Sequence, residues 1–238
     1  MLVFEKYFIV DAHVKSRIVN GAINCSMIQA KDRMATSLEK AKQNPESMKA
    51  RILEAARKIF GEYGFHGTTT RMIAKAVDID ISTLYYHWGE KGDLYEAVIR
   101  DINDGLGNKL IEVEKIIKGK PLAQRLDIAI EQMVDYLFEN PEISNLTLHR
   151  YFMKTRHGSI LDFRVPEYLS DIAYSMGLAA DRKDVPVEAR MKVLYIMNAI
   201  HNFVSGENFF RPMLGMERRQ YIQHAKDTLQ FFNLAAFT

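Results

Sequence analysis

Between Gly67 and Leu94 the chain reads GTTTRMIAKAVDIDISTLYYHWGEKGDL, a stretch crowded with hydrogen-bonding side chains. Ser82 and Thr83 open a short helical segment, and their hydroxyls can donate or accept at base edges in a major groove. Ile81 beside them offers an apolar contact to a thymine methyl. Thr68, Thr69 and Arg71 stand at the start of an earlier helix, where hydroxyls and free N–H groups suit phosphate. Tyr85, Tyr86, His87 and Lys91 continue the polar and aromatic run. This is chemistry for holding a nucleic acid rather than for breaking bonds.

Two short helices must position these groups. Thr68 and Thr69 are N-cap types, because a side-chain hydroxyl can accept from an orphaned backbone N–H. The helix they start puts Ile73, Ala74 and Val77 on one face and breaks near Asp78-Ile79-Asp80. Asp80 is a second N-cap type, with a helix predicted over about 81–87. Leu84 and Trp88 are four apart and bury together, leaving Ile81, Ser82, Tyr85, Tyr86 and His87 largely to other faces. Two short helices joined by a tight turn, the second with polar and aromatic groups outward, describe a helix-turn-helix. An outward Tyr-Tyr-His run has little use in a core. Arg71 reads equally well as a solvated residue.

The run from Thr68 to Leu94 resembles the DNA-binding segment of the TetR family of transcriptional regulators. The resemblance rests on Thr68 to Thr70, Ile73-Ala74, Leu84-Tyr85-Tyr86-His87-Trp88 and Lys91, and it extends over residues 46–98. It implies that Tyr85, Tyr86 and His87 reach phosphates and bases. It also implies a C-terminal helical domain that binds a ligand and dimerises. Asp78 stands where the family usually has Gly, so an Asp in the left-handed conformation is expected there. Ile81 replaces a small polar or basic residue, and Glu90-Lys91-Gly92 replaces Ser/Asn-Lys-Glu.

The 238 residues have room for a small domain and a larger one, and 47% apolar content suffices for a core. Proline is scarce and apolar spacing is helical nearly throughout, so the expected fold is all-α. A net charge of +2 is too small to indicate nucleic acid by itself. Any DNA-binding field must come from placement. Cys25 is the one cysteine, which permits no intrachain disulfide and suits a reducing cytoplasm. No apolar run is long enough to span a membrane. Glu5, Lys6 and Asp11 interrupt the apolar N-terminus, which makes a poor signal peptide.

Residues 1–43 form an extension outside the resemblance, basic from Lys31 to Lys42. It reads as a disordered tail, or as leader upstream of Met34, in preference to a basic arm on DNA. Asn44-Pro45 is expected to cap and open the first helix of a head spanning residues 44–98. That helix carries Met48, Ile52, Ala56, Ile59 and Phe60 on one stripe and ends at Gly64. Phe65 is expected beneath the helix-turn-helix. A long helix from about Glu90 to Lys118 has its first turn in the head and its remainder in the second domain, residues 99–238, which makes it a lever between them. Gly105 and Gly107 could allow it to bend.

Further helices are expected over residues 122–139, 141–154, 166–178, 186–210 and 216–234, with a loop over 155–159. In the family the last two long helices pair with their mates. Val193, Ile196, Ile200, Phe203, Val204, Ile222, Leu229 and Phe232 suit that seam and equally suit a monomer core.

Met133, Tyr136, Phe152, Met153, Tyr174, Met176 and Met197 are candidates for a flexible apolar pocket. Asn145, His149 and His201 are candidates to orient what enters it. No histidine pair has metal-ligand spacing, and no glycine-rich phosphate loop is present. No cofactor is expected and the chain is not read as an enzyme. The reading is a homodimeric regulator of double-stranded DNA, a repressor released by a small apolar or amphipathic effector, located in the cytoplasm. The alternative is a DNA-organising or protein-interaction factor on the same fold without an effector.

Overall fold

The computed structural model describes residues 37–152 and 165–237. Among the described residues the chain forms eleven helices and no strand. They are α1 (37–43), α2 (Met48–Gly67), α3 (Thr70–Val77), α4 (Ile81–Trp88), α5 (Lys91–Ile117), α6 (Leu122–Glu139), α7 (Pro141–Phe152), α8 (Val165–Ser175), α9 (Val187–Ser205), α10 (Glu207–Met213) and α11 (Arg218–Phe237). The predicted loop over 155–159 lies outside the described residues.

The head starts earlier than the sequence suggests. Part of the presumed extension is α1, which buries Leu38 and Ala41 in the main core. Asn44 ends that helix, its N–H donating to the Lys40 carbonyl at 3.3 Å. Ser47, not Asn44, caps α2: its Oγ accepts from the Ala50 N–H at 3.2 Å. Pro45 and Glu46 belong to the turn between the two helices. Near its end α2 kinks at Gly64, which has φ 67° and ψ 178°.

Phe60, Phe65 and Tyr95 form an aromatic cluster, Tyr95 meeting Phe60 and Phe65 at centroid distances of 5.0 and 4.9 Å. Edge-to-face packing of this kind adds about 0.5–1.5 kcal/mol per pair beyond area burial. It fastens the root of α5 to the end of α2, and the ring contacts of Phe65 are with these two helices. At 27 residues α5 is about 40 Å long. It is one continuous helix through Gly105 and Gly107. A Cβ on Gly105 would sit 3.1 Å from the Tyr136 hydroxyl, so this glycine admits a close neighbour on α6 rather than a bend.

The main core runs unbroken from head to body, joining Ile52, Phe60, Leu84 and Leu94 to Val134, Ile143, Ile200 and Leu229. The predicted helix over 186–210 is two helices. At Gly206 the Phe210 ring occupies the space a side chain would need, and the chain turns there into α10. Val193, Ile200, Val204 and Leu229 are core of a single chain, each 5% exposed or less. Ile196, Phe203 and Ile222 are partly buried against the same core. Phe232 of the expected seam is left in solvent on α11, beside Phe231, and on α9 the exposed apolar residues are Val187, Met191 and Tyr195, spaced by four. No described helix is long and apolar enough to cross a membrane.

Candidate nucleic-acid interface and effector cavity

The turn between α3 and α4 is built by capping. Thr69 caps α3, its hydroxyl accepting from the Met72 N–H at 3.2 Å. Asp78 ends α3 in the left-handed conformation, φ 57° and ψ 54°, the one described non-glycine residue with positive φ. That geometry lets the Ile79 N–H donate back to the Ala74 carbonyl at 3.0 Å, closing the helix end. Asp80 then caps α4, accepting from the Thr83 N–H at 2.7 Å and the Ser82 hydroxyl at 2.5 Å. The Ser82 bond, then the Thr83 bond, hold the Asp80 carboxyl below its usual range.

Leu84 and Trp88 anchor α4 from below, and the Trp88 indole N–H donates to the Lys49 carbonyl at 3.0 Å. The Lys49 ammonium in turn donates to the His87 carbonyl at 2.9 Å and lies over the Trp88 ring. The opposite face of α4 is free. Tyr86 is 86% exposed and Tyr85 nearly half exposed, with the Tyr86 and His87 rings edge to face at 5.2 Å. Burial first, then the Lys49 charge, push the His87 imidazole below its ordinary pKa, so it is largely neutral at neutral pH.

The structure divides the predicted DNA-facing set. Thr69, Arg71, Ser82, Tyr85 and Tyr86 are exposed around the helix-turn-helix, with Thr83 and His87 partly so. Thr68 is fully buried: its hydroxyl donates to the Gly64 carbonyl at 2.7 Å and closes the α2 kink, so it has no hydroxyl to offer phosphate. Lys91 is also occupied, donating to the Phe65 and Thr68 carbonyls at 2.9 Å each and lying 4.4 Å from the Phe65 ring centroid. It ties α5 to the end of α2. Ile81 packs partly against the core instead of standing clear of it.

A second site lies in the body. A cavity of about 100 Å³ is enclosed by α5, α6, α8 and α9, lined chiefly by Leu106, Leu110, Val113, Met133, Ile172 and Met197. Of the residues predicted for a pocket, Met133, Met176, Met197 and His201 line it. Tyr136 packs against the main core and Gly105 instead, and Tyr174 is exposed. Asn145 and His149 line a separate crevice between α2 and α7. The Phe152 side chain and Met153 fall outside the described residues. His201 is 2% exposed, and burial pushes its imidazole down to about 4. Its Nδ1 is 2.9 Å from the Ser144 hydroxyl. The α5 side of the cavity was visible in the sequence as an apolar stripe; the polar residues Glu114, Asp171 and Ser175 carried no signal there.

A third feature ties the head to the body and had no sequence signature. Arg57 on α2 donates through Nε to Glu142 at 2.6 Å, through Nη2 to Asn140 at 3.2 Å and through Nη1 to Asp101 at 3.5 Å. Lys42 adds ion pairs to Asp101 and Asp104 at 3.4 and 2.7 Å. Asn140-Pro141-Glu142 reads in sequence only as a helix entry, yet it is also where α7 meets the head.

Residues 52–98 match the family model of bacterial regulatory proteins, tetR family. The chain is 28% identical over 164 residues to the HTH-type transcriptional repressor AcnR of Corynebacterium diphtheriae, covering 65% of this chain and 77% of that protein. It is 32% identical over 92 residues to the biofilm operon negative transcriptional regulator IcaR of Staphylococcus aureus, covering 39% of this chain and 45% of that one. Its fold is similar to that of the transcriptional regulator FadR from Bacillus subtilis in complex with stearoyl-CoA, with a TM-score of 0.57 at 16% identity over 79% of this chain and 98% of the other. A tightly capped helix-turn-helix with an outward aromatic face, on an all-helical body, agrees with these matches: residues 52–98 are a tetR-family DNA-binding segment, and the chain resembles TetR-family transcriptional repressors.

Proposed function

We propose that two copies of this chain pair through α9 and α11 and repress transcription by setting both α4 helices into successive major grooves of an inverted-repeat operator. The grooves would lie roughly 34–36 Å apart on one side of the duplex. Tyr86 carries the reading. A side chain 86% exposed on the free face of a helix pinned from below by Leu84 and Trp88 has no partner within its own chain's core. Ser82, Thr83, Tyr85 and His87 would share that groove, with Thr69 and Arg71 toward the phosphates. Exposed Met191, Tyr195, Phe231 and Phe232 supply the apolar surface for pairing. Two relatives named as a repressor and a negative regulator support repression, and work on DNA would call for a cytoplasmic location.

The cavity supports release by a small apolar effector, as does the acyl-CoA found with the structural neighbour. Leu106 to Ile117 of α5 form one cavity wall, while Lys91 at the start of α5 is tied to the end of α2. A ligand that fits better with α5 displaced would move the heads off their spacing, and only that difference in affinity can drive release. The test is Tyr86→Ala with His87→Ala in a mobility-shift assay on the DNA flanking the protein's own gene. Losing such contacts should cost about 1–3 kcal/mol, roughly ten- to hundred-fold in affinity, with the dimer intact by sedimentation. Unchanged affinity would remove α4 from the interface.

A further inference from the structure

The polar groups of the cavity have a definite sign. Among the described residues no Lys or Arg lines it, and its lining includes the carboxylates of Glu114 and Asp171. Asp171 already holds a cation, accepting from Arg182 Nε at 2.6 Å. Glu114, partly exposed on α5, accepts only from the Ser175 hydroxyl at 3.1 Å, and no ion pair joins it to a cation among the described residues. Arg125, outside the lining, donates through Nε to the Lys120 carbonyl at 2.6 Å and through Nη1 to the Ser175 carbonyl at 3.3 Å.

His201 adds no charge. The fully buried Ser144 hydroxyl has His201 Nδ1 as its one partner among the described residues, and the bond can run in either direction with the ring tautomer. His201 Nε2 has no hydrogen-bond partner among the described residues, and the side chain lines the cavity. This leaves one neutral, buried imidazole and, on α5, a partly exposed carboxylate that no cation among the described residues pairs with.

We propose that the effector is a lipophilic cation, an apolar body lying along Leu110, Val113, Met133 and Met197 with a protonated nitrogen head against Glu114. This rests on the effector reading above and names the charge class of that ligand. A carboxylate or phosphate head would meet Glu114 and Asp171 with no lining cation among the described residues to receive it, at the cost of both repulsion and desolvation. Met133, Met176 and Met197 give the walls the adaptability that an alkyl or aryl body needs.

The experiment compares three probes of equal chain length, decylammonium, decanoate and decanol, below their micelle concentrations. Binding to the full chain is measured by calorimetry for the wild type and for Glu114→Gln. A charge-assisted contact to Glu114 should favour decylammonium over decanoate by about ten-fold, which is about 1.4 kcal/mol. Glu114→Gln should bring that ratio below about three-fold while decanol, which reports the intact apolar cavity, binds as before. Tighter binding of decanoate than of decylammonium, or a preference that survives Glu114→Gln, overturns the charge assignment and leaves the effector cavity standing. If none of the three binds the wild type, the effector reading falls and this inference with it.

Discussion

Replacing Arg57 by Met should damage the molecule mostly through what it leaves behind. The Arg57 and Glu142 side chains are only 17% and 15% exposed, and Arg57 is the cation facing Glu142. Asp101 keeps Lys42 at 3.4 Å after the change, but Glu142 has no second cation among the described residues. Fully exposed pairs are worth about 0.2–1 kcal/mol, whereas orphaning one member of a buried pair costs about 3–5 kcal/mol. At these exposures the cost of Arg57→Met should fall between, at about 2 kcal/mol. Glu142→Gln alone should cost about 1 kcal/mol, because Arg57 keeps Asp101 and Asn140 and only a favourable charge at the α7 N-terminus is lost besides. The double variant removes the orphaned carboxylate, so its cost should fall short of the sum by about 1 kcal/mol. Urea unfolding at one fixed protein concentration measures all four corners, since pairing would make stability concentration-dependent. Strict additivity, or a cost below about 0.5 kcal/mol for Arg57→Met, would show that the Arg57–Glu142 pair does not help hold the head to the body.

Burial keeps His201 neutral, with a folded-state pKa of about 4 against 6.5 for the free side chain. The unfolded chain therefore binds a proton first as pH falls, and stability contributed by the neutral buried ring is lost between about pH 6.5 and 4. Between pH 7 and 5 that loss is about 2 kcal/mol, and His201→Gln should flatten this part of the profile in thermal melts at several pH values. A profile unchanged by the substitution would contradict the burial argument. Asp78 holds a left-handed conformation that glycine adopts without a Cβ penalty. Asp78→Gly should raise stability by about 0.5–1 kcal/mol in urea unfolding, and a loss would mean that the Asp side chain stabilises the turn.

The helix-turn-helix was legible because its signals are local. Thr69 and Asp80 caps, the i, i+4 pair Leu84 and Trp88, and the strain expected at Asp78 all depend on residues within one turn of each other. What failed depended on distance in the chain. Thr68 and Lys91 look like phosphate ligands in sequence, but the kink at Gly64 turns carbonyls inward and both side chains are drawn to them. The start of the head was misplaced because Asn44-Pro45 resembles a cap as well as Ser47 does, and only Leu38 and Ala41 in the core reveal that α1 precedes it. In the body, Val193 and Met191 are both apolar residues on α9, and which one stays in solvent follows from the packing of α8 against α9, not from residue type.

The claim on which the rest depends is that α4, presented twice by a symmetric pair, reads duplex DNA. Selection of duplexes by the purified full chain from a random pool at moderate salt tests it most directly. The account predicts enrichment of an inverted repeat whose half-site centres lie one turn, or a multiple of it, apart, roughly 34–36 Å per turn. A pool that emerges without an enriched sequence, from protein that is folded, would contradict it.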